Sequence, residues 1–440
     1  MPSESRTAAE VPTIRQRIKG SQQVGALREA LTSAADQPSL RERLSLGAAD
    51  GVPAATSLQL RKVPHDIVAY VSSEMRTFRK HRFSEVDSLV FSKLSYLNWL
   101  AVPAVPRRTR KGPAPTLRDL FCAECFEGLF DTQLDRDKDV AFLTAVVASP
   151  RFRDVRVLNH VNSIDEAADK QFSATTFLLP DKTVYVAFRG TDNTIVGWKE
   201  DFDLAFRTPV AAQTSAVAYL ERAAAATDGH IRVGGHSKGG NLAVYAAAMA
   251  APAVREHIVR VYSHDGPGFN ETALAQIRSS DMAGRVSKSV PESSVVGMLL
   301  ENQETYHVIR SDAAGIMQHD PYSWIVLDGA FVPMPGVDDS SVLIDRTLSG
   351  WISGMDDAHM ERFVNALFDV FGASGTKRFQ DMSFADYMAS AQAVVDMDPD
   401  ERAMFLRTIE ALARVGAQSL ADAMGTAAAD ATDAVIAEES

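Results

Sequence analysis

From residue 173 to residue 310, short β-rich apolar runs take turns with stretches whose apolar positions recur at helical spacing. Ser173-Ala-Thr-Thr-Phe-Leu-Leu-Pro and Thr183-Val-Tyr-Val-Ala-Phe-Arg are joined by the short Pro180-Asp-Lys turn, which predicts an antiparallel hairpin. A helix over 214–226 follows, then a strand from Ile231 and an alanine-rich helix to Ala250. Further strands at 259–263, 286–290 and 306–310 alternate with helices. Strand–helix alternation of this kind predicts an α/β fold with a mostly parallel central sheet flanked by helices. Helical segments are added at both ends. Val86, Leu89, Val90, Leu94 and Leu97 mark a helix on the amino-terminal side, and more helix is expected through 143–147. Met360, Phe363, Val364, Leu367 and Phe371 form one apolar stripe on the carboxyl-terminal side. A last helix opens at Asp398-Pro-Asp-Glu401, with an N-cap, a first-turn proline and a glutamate three places on.

The expected organisation is a flexible tail over 1–66, a sheet domain with its amino-terminal helices over 67–336, a helical region over 337–425 and a frayed tail over 426–440. Pro103, Pro106, Pro113 and Pro115, interspersed with Arg107, Arg108, Arg110 and Lys111, mark an exposed loop. A hydrophobic content of 46% is ordinary for a globular chain, and 440 residues can form two or three compact units. The net charge of -12 argues against nucleic acid as a main partner, because phosphate binding needs a basic surface. No apolar run approaches the ~20 residues that span a bilayer. Met1-Pro-Ser-Glu-Ser-Arg lacks the apolar core of a secretory signal, so the expectation is a soluble, cytoplasmic protein. The only cysteines, Cys122 and Cys125, lie in a helix-like segment and read as buried free thiols rather than a redox pair or half of a zinc site.

Candidate chemistry enters at Gly235-His-Ser-Lys-Gly239, between the strand and the alanine-rich helix. A Gly-x-Ser-x-Gly pentapeptide alone is a weak signal. A strand before it and a helix after it place Ser237 at the tip of a sharp bend, with helix-terminal N–H groups beside it. The two glycines are then steric necessities, since the bend brings residues 235 and 239 together. The Gly-rich turn lacks both Gly-x-Gly-x-x-Gly spacing and the Gly-Lys-Ser/Thr of a phosphate-binding loop.

A serine hydroxyl needs a base to take its proton and a third group to orient that base. In α/β-hydrolases these follow the serine as acid and then histidine. His319 is the candidate base, because 315–324 is a turn-rich loop directly after the last strand. His307 lies in a strand-like run and is expected to pack, while His257 and His359 sit on helical segments. His264 comes too early in the chain. Asp265 is the candidate acid, at the carboxyl end of the strand after the serine helix and before a Gly-Pro-Gly turn. Glu292, after the next strand, is the alternative. The oxyanion donors would be the backbone N–H of Lys238 and Thr191 in the loop after Phe188-Arg189. Arg189 and Asp201 are expected to pair and brace that loop. Trp198 reads as core or as part of an acyl pocket.

Phe-Arg-Gly-Thr191 with Ile195, Trp198 and Asp201, followed by Gly-His-Ser-x-Gly-Gly-Asn-Leu-Ala, resembles the class 3 (fungal-type) lipases. That resemblance implies an oxyanion role for Thr191. Ser88-Leu-Val-Phe-Ser-Lys-Leu-Ser-Tyr96, His264-Asp-Gly-Pro-Gly-Phe269, Val296-Gly-Met-Leu-Leu-Glu301 and Gln318-His-Asp-Pro-Tyr-Ser-Trp324 make the chain similar to the lipase-like Mbeg1-like family (DUF2974) over about residues 83–330. Around the acid it departs from class 3 lipases, with Val-Pro-Glu-Ser-Ser where they carry an Asp-x-Val-Pro-type motif. The chain is therefore expected to be an α/β-hydrolase-like serine hydrolase acting on carboxylic, including lipid, esters through an acyl-enzyme, with no metal or cofactor. The alternative expectation is a non-catalytic scaffold of that fold which binds a partner. Lys238 at the elbow suggests a preference for anionic acyl substrates, or else a pairing with a nearby carboxylate.

Overall fold

The computed structural model describes residues 65–105, 113–131, 135–192, 194–300, 306–378, 381–411 and 414. The tail expected over 1–66, apart from its last two positions, the basic part of the proline loop and the terminal segment 426–440 lie outside the described residues. Seven strands form one sheet in chain order: β1 (Arg156–Asp165), β2 (Lys170–Leu178), β3 (Val184–Phe188), β4 (Ile231–His236), β5 (Ile258–His264), β6 (Val286–Pro291) and β7 (Tyr306–Ile309). β1, β2 and β3 pair antiparallel, and β3 to β7 pair parallel. The predicted hairpin is β2–β3. β1 escapes the apolar pattern because it is an edge strand with a register shift between Val157 and Asn159, so its burial follows no period of two.

Parallel strands laid down in strict order, with crossovers of one hand, put all their connecting helices on one face. Helices α5 (Ala211–Ala224), α6 (Lys238–Met249) and α7 (Glu271–Ser279) share one buried cluster with Val184, Val186 and Phe188 of β3, Val233 of β4 and Val261 of β5. The alternate residues Tyr185, Ala187 and Tyr262 face the opposite cluster. That second face is covered by the amino-terminal helices α1 (Ile67–Ser73), α2 (Glu85–Leu94) and α3 (Arg136–Ala148). Arg151 and Asp87, both fully buried, pin this layer with bonds of 2.7 and 2.6 Å. The Tyr70 hydroxyl donates to the same Asp87 carboxylate at 2.8 Å.

α4 (Ile195–Asp203) follows the loop after β3. The carboxyl-terminal layer consists of α8 (Asp339–Ser353), α9 (Asp357–Gly372), α10 (Phe384–Asp396) and a helical run over 399–411. Met360, Phe363 and Val364 of the predicted stripe are buried in its core, with Leu367 and Phe371 partly buried against them. Asp398 caps the last run by accepting from Asp400 N–H at 2.9 Å. Main-chain and side-chain bonds tie the layer to the sheet domain, among them the Lys377–Glu166 ion pair. Asp338 N–H donates to Glu292 O at 2.7 Å, and Ile195 N–H donates to Lys377 O at 2.9 Å. His307 does not pack as expected. It is exposed, because β7 is the edge of the sheet. Among the described residues no helix is long and apolar enough to cross a membrane.

Candidate active site

Ser237 stands between β4 and α6 with φ 59° and ψ -136°, in a backbone region that residues with a side chain seldom occupy. The crowding behind it explains the flanking glycines. A Cβ at Gly235 would lie 2.2 Å from Gly239 C, and one at Gly239 would lie 2.2 Å from Phe188 O. From Val233 to Ala248 every residue is buried except Ser237, which is half-buried. The bend therefore lifts one hydroxyl out of an otherwise closed element.

β4 and β5 are in register at His236 and His264, so Ser237 and Asp265 leave adjacent strands at the same level. Asp265 also has a positive φ, 50°. Its carboxylate is fully buried and fully engaged. Oδ1 accepts from Ser294 Oγ at 2.5 Å and from Gly297 N–H at 3.1 Å, and Oδ2 lies 2.6 Å from Nδ1 of His319. Gly297 has to be glycine, since a Cβ there would fall 2.2 Å from Asp265 Oδ1. The buried Lys288 ammonium braces that turn by donating to Gly297 O at 2.7 Å.

His319 ends a short 3-10 turn, Gly315–His319, with its side chain 26% exposed. The turn is held by Gln318, whose Oε1 accepts from Ser293 N–H at 2.7 Å, and by Trp324, whose Nε1 donates to Gln318 O at 2.8 Å. The His319 ring lies 4.5 Å from that of His236, centroid to centroid. Among the described residues no hydrogen bond joins the Ser237 hydroxyl to this ring. Asp320 accepts from Tyr322 N–H at 3.1 Å and takes no part in orienting its neighbour. Glu292 stands beside Arg310 and Asp338 instead of His319, and burial pushes its carboxyl up.

The loop after β3 runs against the serine, because a Cβ at Gly190 would lie 2.9 Å from Ser237 Cβ. Thr191 follows, and its hydroxyl donates to Asp201 Oδ2 at 2.5 Å. Arg189 does not pair with Asp201. It meets Asp192 at 3.1 Å, a carboxylate closer along the same loop. Asp201 belongs to a different charge cluster, centred on Lys238. The Lys238 ammonium is fully buried and contacts Glu200 Oε2 at 3.0 Å, Gln171 Oε1 at 2.9 Å and Asp201 Oδ1 at 3.6 Å. A preference for anionic substrates through this ammonium is thereby excluded, and its pairing with carboxylates is what the structure contains. Burial pushes the Asp201 carboxyl up to about 6, against the downward pull of Lys238 and Thr191. Trp198 is 44% exposed and is not core.

Ser294, Gly297 and Lys288 escape the sequence reading, which looks for a carboxylate after β6 and passes over the small residues that serve one from the neighbouring strand. Tyr96 and His236 stand inside quoted motifs without an assigned role. Cys122 is half-buried and Cys125 buried, both free. Burial and the second thiol push Cys122 up to about 11, which keeps it from being a reactive thiolate. Among the described residues no group of three or more His, Cys, Asp or Glu side chains is arranged to hold a metal ion.

No curated protein matches the sequence. Two solved structures that resemble it are the M37 lipase, at 14% identity and a TM-score of 0.32, and a triacylglycerol lipase from Penicillium expansum, at 16% and 0.28. The first covers 50% of this chain and 71% of its own; the second covers 43% and 78%. The sequence profile of the Mbeg1-like family matches residues 146–369, just over half of the chain and the whole stretch from β1 into α9. The chain belongs to the Mbeg1-like family.

Proposed function

We propose that the protein is a serine hydrolase that cleaves carboxylic esters, with Ser237 as nucleophile, His319 as general base and then acid, and Asp265 as the group that orients the imidazole. The observation that carries the reading is the 2.6 Å contact between His319 Nδ1 and a fully buried Asp265, at the level where a half-buried serine leaves the adjacent strand. A carboxylate on Nδ1 leaves Nε2 free to accept a proton. Catalytic hydrogen bonds are often open before substrate arrives, so the remaining link from Nε2 to Ser237 Oγ is assigned to the substrate complex.

In this scheme Ser237 Oγ attacks the ester carbonyl carbon while His319 takes the hydroxyl proton. The carbonyl oxygen becomes an oxyanion, met by the backbone N–H groups of Lys238 and Thr191. Collapse expels the alcohol, which leaves with the proton from His319, and an acyl-serine remains. Water then repeats the sequence, with its proton passing to His319, and releases the acid. The Thr191 hydroxyl is committed to Asp201, so its part is to hold the loop in place while the main chain donates.

Treatment with a fluorophosphonate tests this directly. Ser237 should be labelled, and both Ser237→Ala and His319→Ala should abolish the labelling. A panel of carboxylic esters, from short-chain nitrophenyl esters to fatty-acyl glycerides, then defines the substrate. Absence of labelling in the wild-type protein would refute the proposal and favour a partner-binding scaffold.

A further inference from the structure

His236, the residue before the elbow serine, is 5% exposed, and its Nε2 lies 2.8 Å from the main-chain oxygen of His319. A carbonyl only accepts, so Nε2 carries the proton. Burial, with His319 alongside, holds the His236 ring well below the ordinary histidine range, so it is neutral and its Nδ1 is an acceptor. The hydroxyl 3.1 Å from Nδ1 belongs to Tyr96, which donates toward this nearer acceptor and also lies 3.4 Å from the main-chain oxygen of His236. The main chain of Gly190 packs against the same phenolic oxygen. The packing is tight at this point, since a Cβ on Gly190 would lie 2.2 Å from the hydroxyl.

We propose that Tyr96 and His236 are positioning residues that hold the base loop against the oxyanion loop. The chain runs from Tyr96 O–H to His236 Nδ1 and from His236 Nε2–H to His319 O, and Gly190 of the oxyanion loop packs on the Tyr96 end of it. It ties the main chain of the base loop to the elbow residue and, through Tyr96, to the loop at Gly190, and it lays the His236 ring against that of His319. The base loop needs such an anchor. Its turn is held through Gln318, but Ile316 is 62% and Met317 66% exposed, so the bond to the His319 carbonyl adds a hold at His319 itself. A neutral ring suits the place as well. The imidazolium that forms on His319 in each half-reaction then faces an uncharged neighbour. The inference rests on the hydrolase reading of the same site.

The test compares full-length wild type with His236→Met, His236→Gln and Tyr96→Phe. Met fills the site without a donor, whereas the amide of Gln can reach the His319 carbonyl. Hydrolysis of a nitrophenyl ester should fall ~10- to 100-fold in kcat for His236→Met and Tyr96→Phe, with KM little changed, because misplacing a base by about 1 Å costs that much. His236→Gln should recover most of the rate. The downfield proton resonance of the His319–Asp265 hydrogen bond should shift or vanish in His236→Met although Asp265 is untouched. An unchanged resonance in His236→Met, or equal kcat losses for Gln and Met, would overturn the relay. A wild-type protein that neither labels nor hydrolyses would sink the hydrolase reading, and the resonance comparison would still decide the relay.

Discussion

The Lys238–Glu200 pair lends itself to a quantitative prediction, because both side chains are 1% exposed or less and each contact is known. Glu200 Oε2 meets the ammonium at 3.0 Å and Gln171 N–H at 3.1 Å, and Oε1 accepts from Ala212 N–H at 2.7 Å. Glu200→Gln removes the charge and turns one oxygen into a donor, so the ammonium is left with Gln171 and Asp201. Breaking one side of a buried pair costs ~3–5 kcal/mol, and the remaining partners reduce that to about 2–3 kcal/mol here. At ~2–4 °C per kcal/mol for a domain of this size, Tm should fall by about 5–10 °C. Lys238→Met removes the other partner, and its cost should be similar, since Glu200 keeps its two N–H donors. The double variant has no buried charge left unpaired at the contact. It should be more stable than the sum of the single effects predicts, by about 2 kcal/mol. Urea denaturation of the four proteins measures this coupling. Additivity within ~0.5 kcal/mol would refute the assignment of the pair. In Lys238→Met the preference between anionic and neutral esters should stay as in the wild type, because the ammonium never reaches the solvent side of the elbow.

Ser237→Gly should abolish labelling yet stabilise the fold by about 1 kcal/mol relative to Ser237→Ala, since only glycine occupies the observed φ without strain; equal unfolding midpoints would contradict a strained elbow. Gly297→Ala should lower kcat at least ~100-fold, because its Cβ displaces the Asp265 carboxylate, while Ser294→Ala should lose one charge-assisted bond and cost only about 1–3 kcal/mol. Retained activity in Gly297→Ala would mean that the acid is elsewhere. Burial lowers His160 and His264 from 6.5 to about 3. Their contribution to stability is present above pH 6.5 and is lost as pH falls toward 3, by up to ~1.4 kcal/mol per pH unit for each ring. His160→Gln should therefore show a shallower loss of stability between about pH 6.5 and about pH 4 than the wild type, and an unchanged slope would argue that the ring is not held neutral.

What the sequence reveals and what it hides follow from the range of the forces involved. The elbow is legible because its constraint is local: two glycines, a strand before them and a helix after them. β4 and β5 are legible for the same reason, each lying between two helices. β1 is not, because an edge strand with a bulge buries Val157 and His160 and little between them. The choice between Asp265 and Glu292 depends on which strand end faces the base loop, and that is a property of the sheet order. The misreading of Arg189 comes from the same source. Two carboxylates lie within reach along the sequence, and only the fold directs Asp192 to the guanidinium and Asp201 to Lys238. Lys238 itself suggested substrate contact because position and charge are visible in a sequence while depth is not.

The matching positive φ values at the ends of β4 and β5 bear on how the site stays assembled. Ser237 and Asp265 are held by main chain that continues directly from two interior strands, so their separation inherits the stiffness of the sheet. The imidazole alone arrives on a peripheral turn. Whatever breathing the three groups undergo is thus concentrated in one of them, and in the proposed reaction thermal motion changes one coordinate instead of three.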